Sequence, residues 1–308
     1  MTTANHPVLP TIRSATSRRH RRRWISVHCW LNDEDPLVAD RVLRLVLRPL
    51  VVQMLRTEPE ARWFFIRYNE RGPHLRFRRT VCSHSQRDRV GAQIRSLCKA
   101  RAPGIVLETS VEAYEPELTR YGGPVGLRLS ENHFHASSTL AMAVCADSKA
   151  LSSASRATVG ALAVALIAYS FLDRPELSTF FTAYASGYAR TFGVKSSAAS
   201  NRNVRDDSAL VRTVQRIVAR CSEPSGLPYA FHHLATSLAI SKHRLRHETR
   251  SGRILVRDQQ CASAVETFRF LLPSYIHMML NRLGIHGLEE MKLASLLGLA
   301  FRDDVLMP

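Results

Sequence analysis

In the stretch "WFFIRYNERGPHLRFRR", from Trp63 to Arg79, the second half carries a histidine and four cations where a core strand would be apolar. The stretch reads as two short strands around a turn, and successive side chains on a strand point to opposite faces. His74, Arg76 and Arg78 therefore share one side, and Leu75 and Phe77 share the other. Like charges on neighbouring same-face positions cost stability unless an anion or carboxylates sit among them. Two readings follow. The row is an anion site, or it is a solvent-facing strand whose arginines pair with Glu70, Glu115 or Glu117.

Two further groups could do chemistry. In "ELTRYGG", Glu117 and Arg120 are three apart, a spacing that places them on one helical face or on one turn before the Gly122-Gly123 bend. In "SYIHMMLNRLG", His277 is of the residue type best suited to proton transfer, and Asn281 follows one helical turn later on the same face. Other histidines read as less specific. His243 and His247 have helical chelate spacing, but Arg244 and Arg246 stand where a zinc-protease pattern needs its glutamate, so they read as a surface helix. His232 and His233 read as incidental. There is no glycine-rich phosphate loop, Ser-His-Asp order or nucleotide fingerprint, and no cofactor is expected. The six cysteines contain no C-x-x-C pair, which argues against a metal. They read as reduced, mostly buried thiols of a cytoplasmic protein.

These groups need a scaffold. The 308 residues, 45% hydrophobic and 22% charged, suit a globular chain. The 43 basic against 26 acidic residues give a net charge of +17, which attracts polyanions, acidic peptides or anionic small groups. Only five of the cations are lysines, so a general bias towards arginine accounts for part of the excess. Residues Met1 to Arg23, ending in "RRHRRR", cannot bury apolar surface and read as a disordered basic tail able to touch RNA or an acidic peptide. Order begins at "WISVHCWL", where Ile25, Val27 and Cys29 alternate with polar neighbours as in a strand. A helix follows with Val42, Leu45, Val46, Pro49 and Leu50 on one face. Next come the cationic hairpin, a helix over Arg87 to Ala100 and a strand near "GIVLETSVEAYEPE". From Ala157 the chain reads as mostly helical, apart from a polar loop over Gly193 to Ser208. The uncharged run Ala157 to Leu172 is shorter than the roughly 20 residues that span a bilayer, so it is read as a buried helix, with no membrane contact. Strands early and helices late predict an α+β fold: an antiparallel or mixed sheet flanked by helices, one domain over 24–308.

Three stretches, "WFFIRYNERGPHLRFR", "YEPELTRYGGPVGLRLSENHF" and "SYIHMMLNRLG", occur in this order and resemble the C-terminal elimination domain of class I lanthipeptide dehydratases. Stand-alone versions of that domain occur in thiopeptide biosynthesis, in a family that also holds the pyridine synthases. The resemblance runs from Trp24 to about Arg302. It implies that a partner protein uses glutamyl-tRNA to glutamylate Ser or Thr of a leader-bearing precursor peptide, and that this chain then expels glutamate to leave dehydroalanine or dehydrobutyrine. Such a β-elimination needs a proton acceptor, stabilisation of an enolate-like amide and a pocket for the glutamyl group. By the same resemblance Arg78, Glu117, Arg120 and His277 are catalytic. Arg76, Arg67, His74 and Asn281 bind substrate. One position departs from the pattern: Ser137 stands where an acidic residue precedes Ser138.

Two alternatives are carried forward. A pyridine synthase joins two dehydroalanines by a formal cycloaddition with loss of water and the leader; Tyr68, Tyr114, Tyr121 and Ser274 are then the residues of interest. A non-catalytic RNA- or peptide-binding scaffold for a glutamylating partner would instead depend on the basic tail. A leader peptide could also add along a sheet edge.

Overall fold

The computed structural model describes residues 24–146, 152–191, 193, 212, 216, 229–260 and 263–302. The basic tail, nearly all of the polar loop from Gly193 to Ser208, Cys221 and Cys261 lie outside them.

Alternation in the first strand dictates a sheet covered on both sides. In β1, Trp24–Leu31, the side chains of Ile25, Val27 and Cys29 are wholly buried on one face, while Ser26 and His28 are buried on the other. β2 (Trp63–Tyr68), β3 (His74–Thr80) and β4 (Val106–Glu112) complete an antiparallel sheet in the order β2-β3-β1-β4. Helix α1, Pro36–Val42, is started by Asp35, whose carboxylate accepts from the Leu37 amide at 2.9 Å, with Pro36 in the first turn. A π-helical turn, Leu43–Leu47, then leads into α2, Arg48–Thr57. That turn shifts the expected buried stripe. Leu43 and Leu47 are buried beside Val42, Val46 and Leu50, whereas Leu45 and Pro49 stay partly exposed. The wider turn takes up extra residues, so the apolar positions recur every four. Helix α3, His84–Arg101, begins three residues before its expected start because the Ser83 hydroxyl accepts from the Gln86 amide. It lays Ile94 and Cys98 on the Cys29 face, where all three side chains are buried.

Helix α4 (Gly123–Cys145) follows the sheet without having been anticipated, and from Ala157 the described residues are mostly helical, as expected: α5 (Ser153–Phe171), α6 (Arg174–Thr191), α7 (Tyr229–Arg250), α8 (Ala264–Leu283) and α9 (Leu288–Ala300). The fold is therefore α+β. The uncharged run is α5, buried along most of its length, and among the described residues no helix is long and apolar enough to cross a membrane. One short hairpin, β5 (Leu255–Val256) and β6 (Gln259–Gln260), interrupts the helices.

The two edges of the sheet differ. Every second amide of β2 is capped by a helical side chain: Trp63 N donates to His135 Nδ1 at 3.3 Å, Phe65 N to Ser138 Oγ at 3.2 Å and Arg67 N to Asn281 Oδ1 at 2.9 Å. Helices α4 and α8 thus close this edge, as an exposed edge would invite pairing with another chain. Beneath it the buried Asp40 carboxylate joins Arg67 and Arg156, which ties α1 to β2 and α5.

Candidate active site

The register of the sheet arranges the cationic strand into cross-strand rows. Phe64, Arg78 and Ser26 form one row, Ile66, Arg76 and His28 the next, and Tyr68, His74 and Trp30 a third. This face lines a cavity of about 600 Å³, walled by the 112–117 segment, Tyr121, Phe134 of α4, and Met278 and Arg282 of α8.

Each arginine is held by its neighbours. Arg76 lies with its guanidinium carbon 3.5 Å from the centre of the Tyr68 ring and donates through Nε to His74 Nε2 at 2.9 Å. Because that nitrogen accepts from a guanidinium, the proton of His74 is on Nδ1, which donates to the Gly72 carbonyl at 2.8 Å. Burial lowers the pKa of His74, so it is a neutral post behind Arg76 and is not itself on the cavity wall. Arg78 donates to Ser26 Oγ at 3.4 Å and stands 4.9 Å from the Tyr114 ring and 5.5 Å from the Phe64 ring. Burial, with help from Arg76, pushes His28 down to about 4, so this histidine adds no charge.

The pairing of these arginines with carboxylates is not what the structure shows. Among the described residues no carboxylate lies within ion-pair distance of Arg76 or Arg78, and Glu117 bonds Arg120 instead, at 3.0 Å. Glu70, Glu112, Glu115 and Glu117 are exposed around the cavity mouth.

Arg120 sits on the 3₁₀ turn Thr119–Tyr121, which ends at Gly122 with φ 80°, and Glu117 lies two residues before that turn. A side chain is excluded at Gly126 also, since a Cβ there would lie 2.1 Å from the Tyr121 carbonyl oxygen. The β5–β6 hairpin braces this turn: Leu255 N donates to the Gly122 carbonyl at 3.0 Å. Arg120 also donates through Nε to Ser274 Oγ at 3.1 Å, joining the turn to α8. Burial works against its charge, but Tyr121 and Glu117 raise its pKa overall.

His277 is one turn beyond Ser274 and outside the cavity lining, next to the lining residue Met278. Its Nδ1 faces the wholly buried Glu290 carboxylate at 3.0 Å and the Tyr188 hydroxyl at 2.8 Å, and Tyr184 donates to the same carboxylate at 2.5 Å. Burial, together with Glu290, drives both phenols well above their ordinary pKa, so they remain protonated donors. A histidine held through one nitrogen by a carboxylate presents the other for proton transfer.

Arg67 and Asn281 lie elsewhere. Arg67 donates to Asp40, to the Pro36 carbonyl at 2.9 Å and to the Arg282 carbonyl at 3.1 Å. Asn281 spans the Arg67 amide and carbonyl, both at 2.9 Å. Neither lines the cavity. Ser137 is buried and donates to its own helix carbonyls, so the departure from the pattern leaves no carboxylate at that position. Sequence reasoning missed His28, Arg282, Tyr184, Tyr188 and Glu290. Strand alternation could have found His28, which shares its face with Ser26; Glu290 reads locally as an ordinary acid in the first turn of a helix.

Residues 24–301 match the family described as lantibiotic biosynthesis dehydratase, C-terminal. Three solved structures are similar in fold. The crystal structure of TsrL superposes with TM-score 0.68 at 17% identity, over 92% of this chain and 95% of TsrL. A pyridine synthase from thiomuracin biosynthesis, TbtD, gives 0.68 at 16%, over 90% of this chain and 97% of its own. The tRNA-dependent lantibiotic dehydratase MibB of Microbispora sp. 107891 gives 0.63 at 20%, over 97% of this chain but 29% of MibB. A comparison with curated protein sequences finds no match.

Proposed function

Since the chain belongs to the lantibiotic dehydratase C-terminal family, we propose that it catalyses elimination of glutamate from glutamylated Ser or Thr side chains of a precursor peptide. The observation that carries this reading is the pair Arg76 and Arg78, which face a cavity and have no carboxylate partner among the described residues. A planar guanidinium donates bidentately to a carboxylate, and an arriving anion relieves the repulsion between neighbouring cations. In the reaction a base removes the Cα proton of the modified residue and the released electron pair forms the Cα–Cβ double bond. The Cβ–O bond breaks and glutamate leaves as a carboxylate. Arg76 and Arg78 hold the glutamyl group and stabilise that carboxylate; Arg120, steadied by Glu117 and Ser274, binds the peptide at the mouth; His277 with Glu290 behind it moves the proton. The precursor carries a leader, and a glutamyl-tRNA-dependent partner supplies the ester.

A second reading, pyridine-forming cyclisation, is favoured by a different observation. Tyr68, Tyr114 and Tyr121 also line the cavity, with Ser274 fixed on Arg120 beside it. One assay separates the two. The protein is mixed with a glutamylated precursor peptide while mass and free glutamate are followed, with Arg78→Ala and His277→Ala alongside. Glutamate release lost in both variants supports elimination. No release, with ring closure of a dehydroalanine-containing peptide, moves the chain to cyclisation.

A further inference from the structure

Arg282 is wholly buried on α8, yet it stands on the wall of the same cavity as Arg78. Two of its nitrogens are committed: Nε donates to Ser138 Oγ at 2.9 Å and Nη1 to the Met278 carbonyl at 2.8 Å. Nη2 is buried and has no hydrogen-bond partner among the described residues. No carboxylate pairs with the group among the described residues, and the Phe134 ring, 5.3 Å from its guanidinium carbon, gives only a weak electrostatic partner. Desolvation, together with Arg78, pushes its pKa down to about 9, which still leaves a cation at neutral pH. A structural arginine in a protein interior has its charge matched and its donors filled. This one has neither, and its neighbour Arg78 carries the same charge.

We propose that Arg282 completes the carboxylate-binding subsite of the cavity whose wall it shares with Arg78, donating Nη2 to the anion that Arg78 receives. The Ser138 hydroxyl fixes the plane of the guanidinium, and the missing charge balance is supplied by the ligand. The choice of glutamate as that ligand rests on the elimination reading; the subsite itself does not require the reaction.

The test is a calorimetric titration of the full chain with L-glutamate, in wild type, Arg282→Met, Arg282→Lys and Ser138→Ala, each first checked by thermal melting. Expected is measurable binding by wild type, weakened roughly ten- to a hundredfold in Arg282→Met, as for loss of a hydrogen bond to a charged group, and partly restored in Arg282→Lys. If Arg282→Met does not fold, Ser138→Ala, which frees Nε without removing charge, must weaken binding in its place. Wild-type affinity in the folded variants, or no glutamate binding by wild type, overturns the proposal. Elimination that proceeds normally in Arg282→Met sinks the subsite but leaves the proposed function standing. Glutamate binding that depends on Arg282, without any glutamate release from a glutamylated peptide, sinks the function and leaves the subsite.

Discussion

His277 Nδ1 and the buried carboxylate of Glu290 face each other at 3.0 Å, from two different helices. If His277 moves the proton of the elimination, His277→Ala lowers the rate of glutamate release by roughly 10²–10⁴-fold. Glu290→Gln keeps the shape but removes the charge. It should slow release less than His277→Ala does, and an unchanged rate in Glu290→Gln means the carboxylate only fills space.

Arg78 tests whether the cavity needs a fork or merely a charge. Arg78→Lys keeps the cation but not the planar donor set that Ser26 and the Tyr114 and Phe64 rings frame. The expected result is a loss in kcat/KM for glutamate release of roughly ten- to a hundredfold. Equal activity in the lysine variant would reduce Arg78 to a source of field.

For Asn281 the structure predicts a cost in stability without a specific cost in catalysis. Its amide satisfies both the N–H and the C=O of Arg67 on the closed sheet edge. Asn281→Ala leaves those groups partnerless and should destabilise the chain by about 1–3 kcal/mol, read from urea unfolding. KM for the glutamylated peptide should not change; a rise in KM in the folded variant would return Asn281 to the substrate.

Acid sensitivity follows from histidines that their surroundings hold neutral. Burial holds His28 and His135 at about 4 and His133 at about 3, against an ordinary 6.5. Between pH 6.5 and about 4 the unfolded chain therefore takes up protons that the folded chain refuses. The histidines cost nothing above that window, and stability falls as pH drops through it. Melting temperatures measured between pH 7.5 and 5 should decline, and His133→Asn should flatten the decline. A pH-independent melt contradicts the assignment of these rings as neutral in the folded chain.

What could be read locally follows short-range rules. The two-residue period of "HLRFRR" is enough to separate Leu75 and Phe77, both wholly buried, from Arg76 and Arg78 on the cavity face. The spacing of Glu117 and Arg120 before two glycines anticipates their pairing, and the length and composition of Ala157 to Leu172 anticipate a buried helix. The stripe on α1 and α2 was misplaced because a π turn is a local irregularity that the 3.6-residue period does not contain.

The sequence by itself determined the strand faces, the helical second half and which residue types could meet an anion, because side-chain alternation and helix periodicity act over a few residues. Only the tertiary structure decided which of those residues face one another. It committed Arg67 to Asp40, 27 positions away, and closed the β2 edge with Asn281, 214 positions away. It set Arg282 on the wall of the same cavity as Arg78 and Glu290 against His277, since buried charges are brought together by packing between elements, and no local spacing encodes that packing.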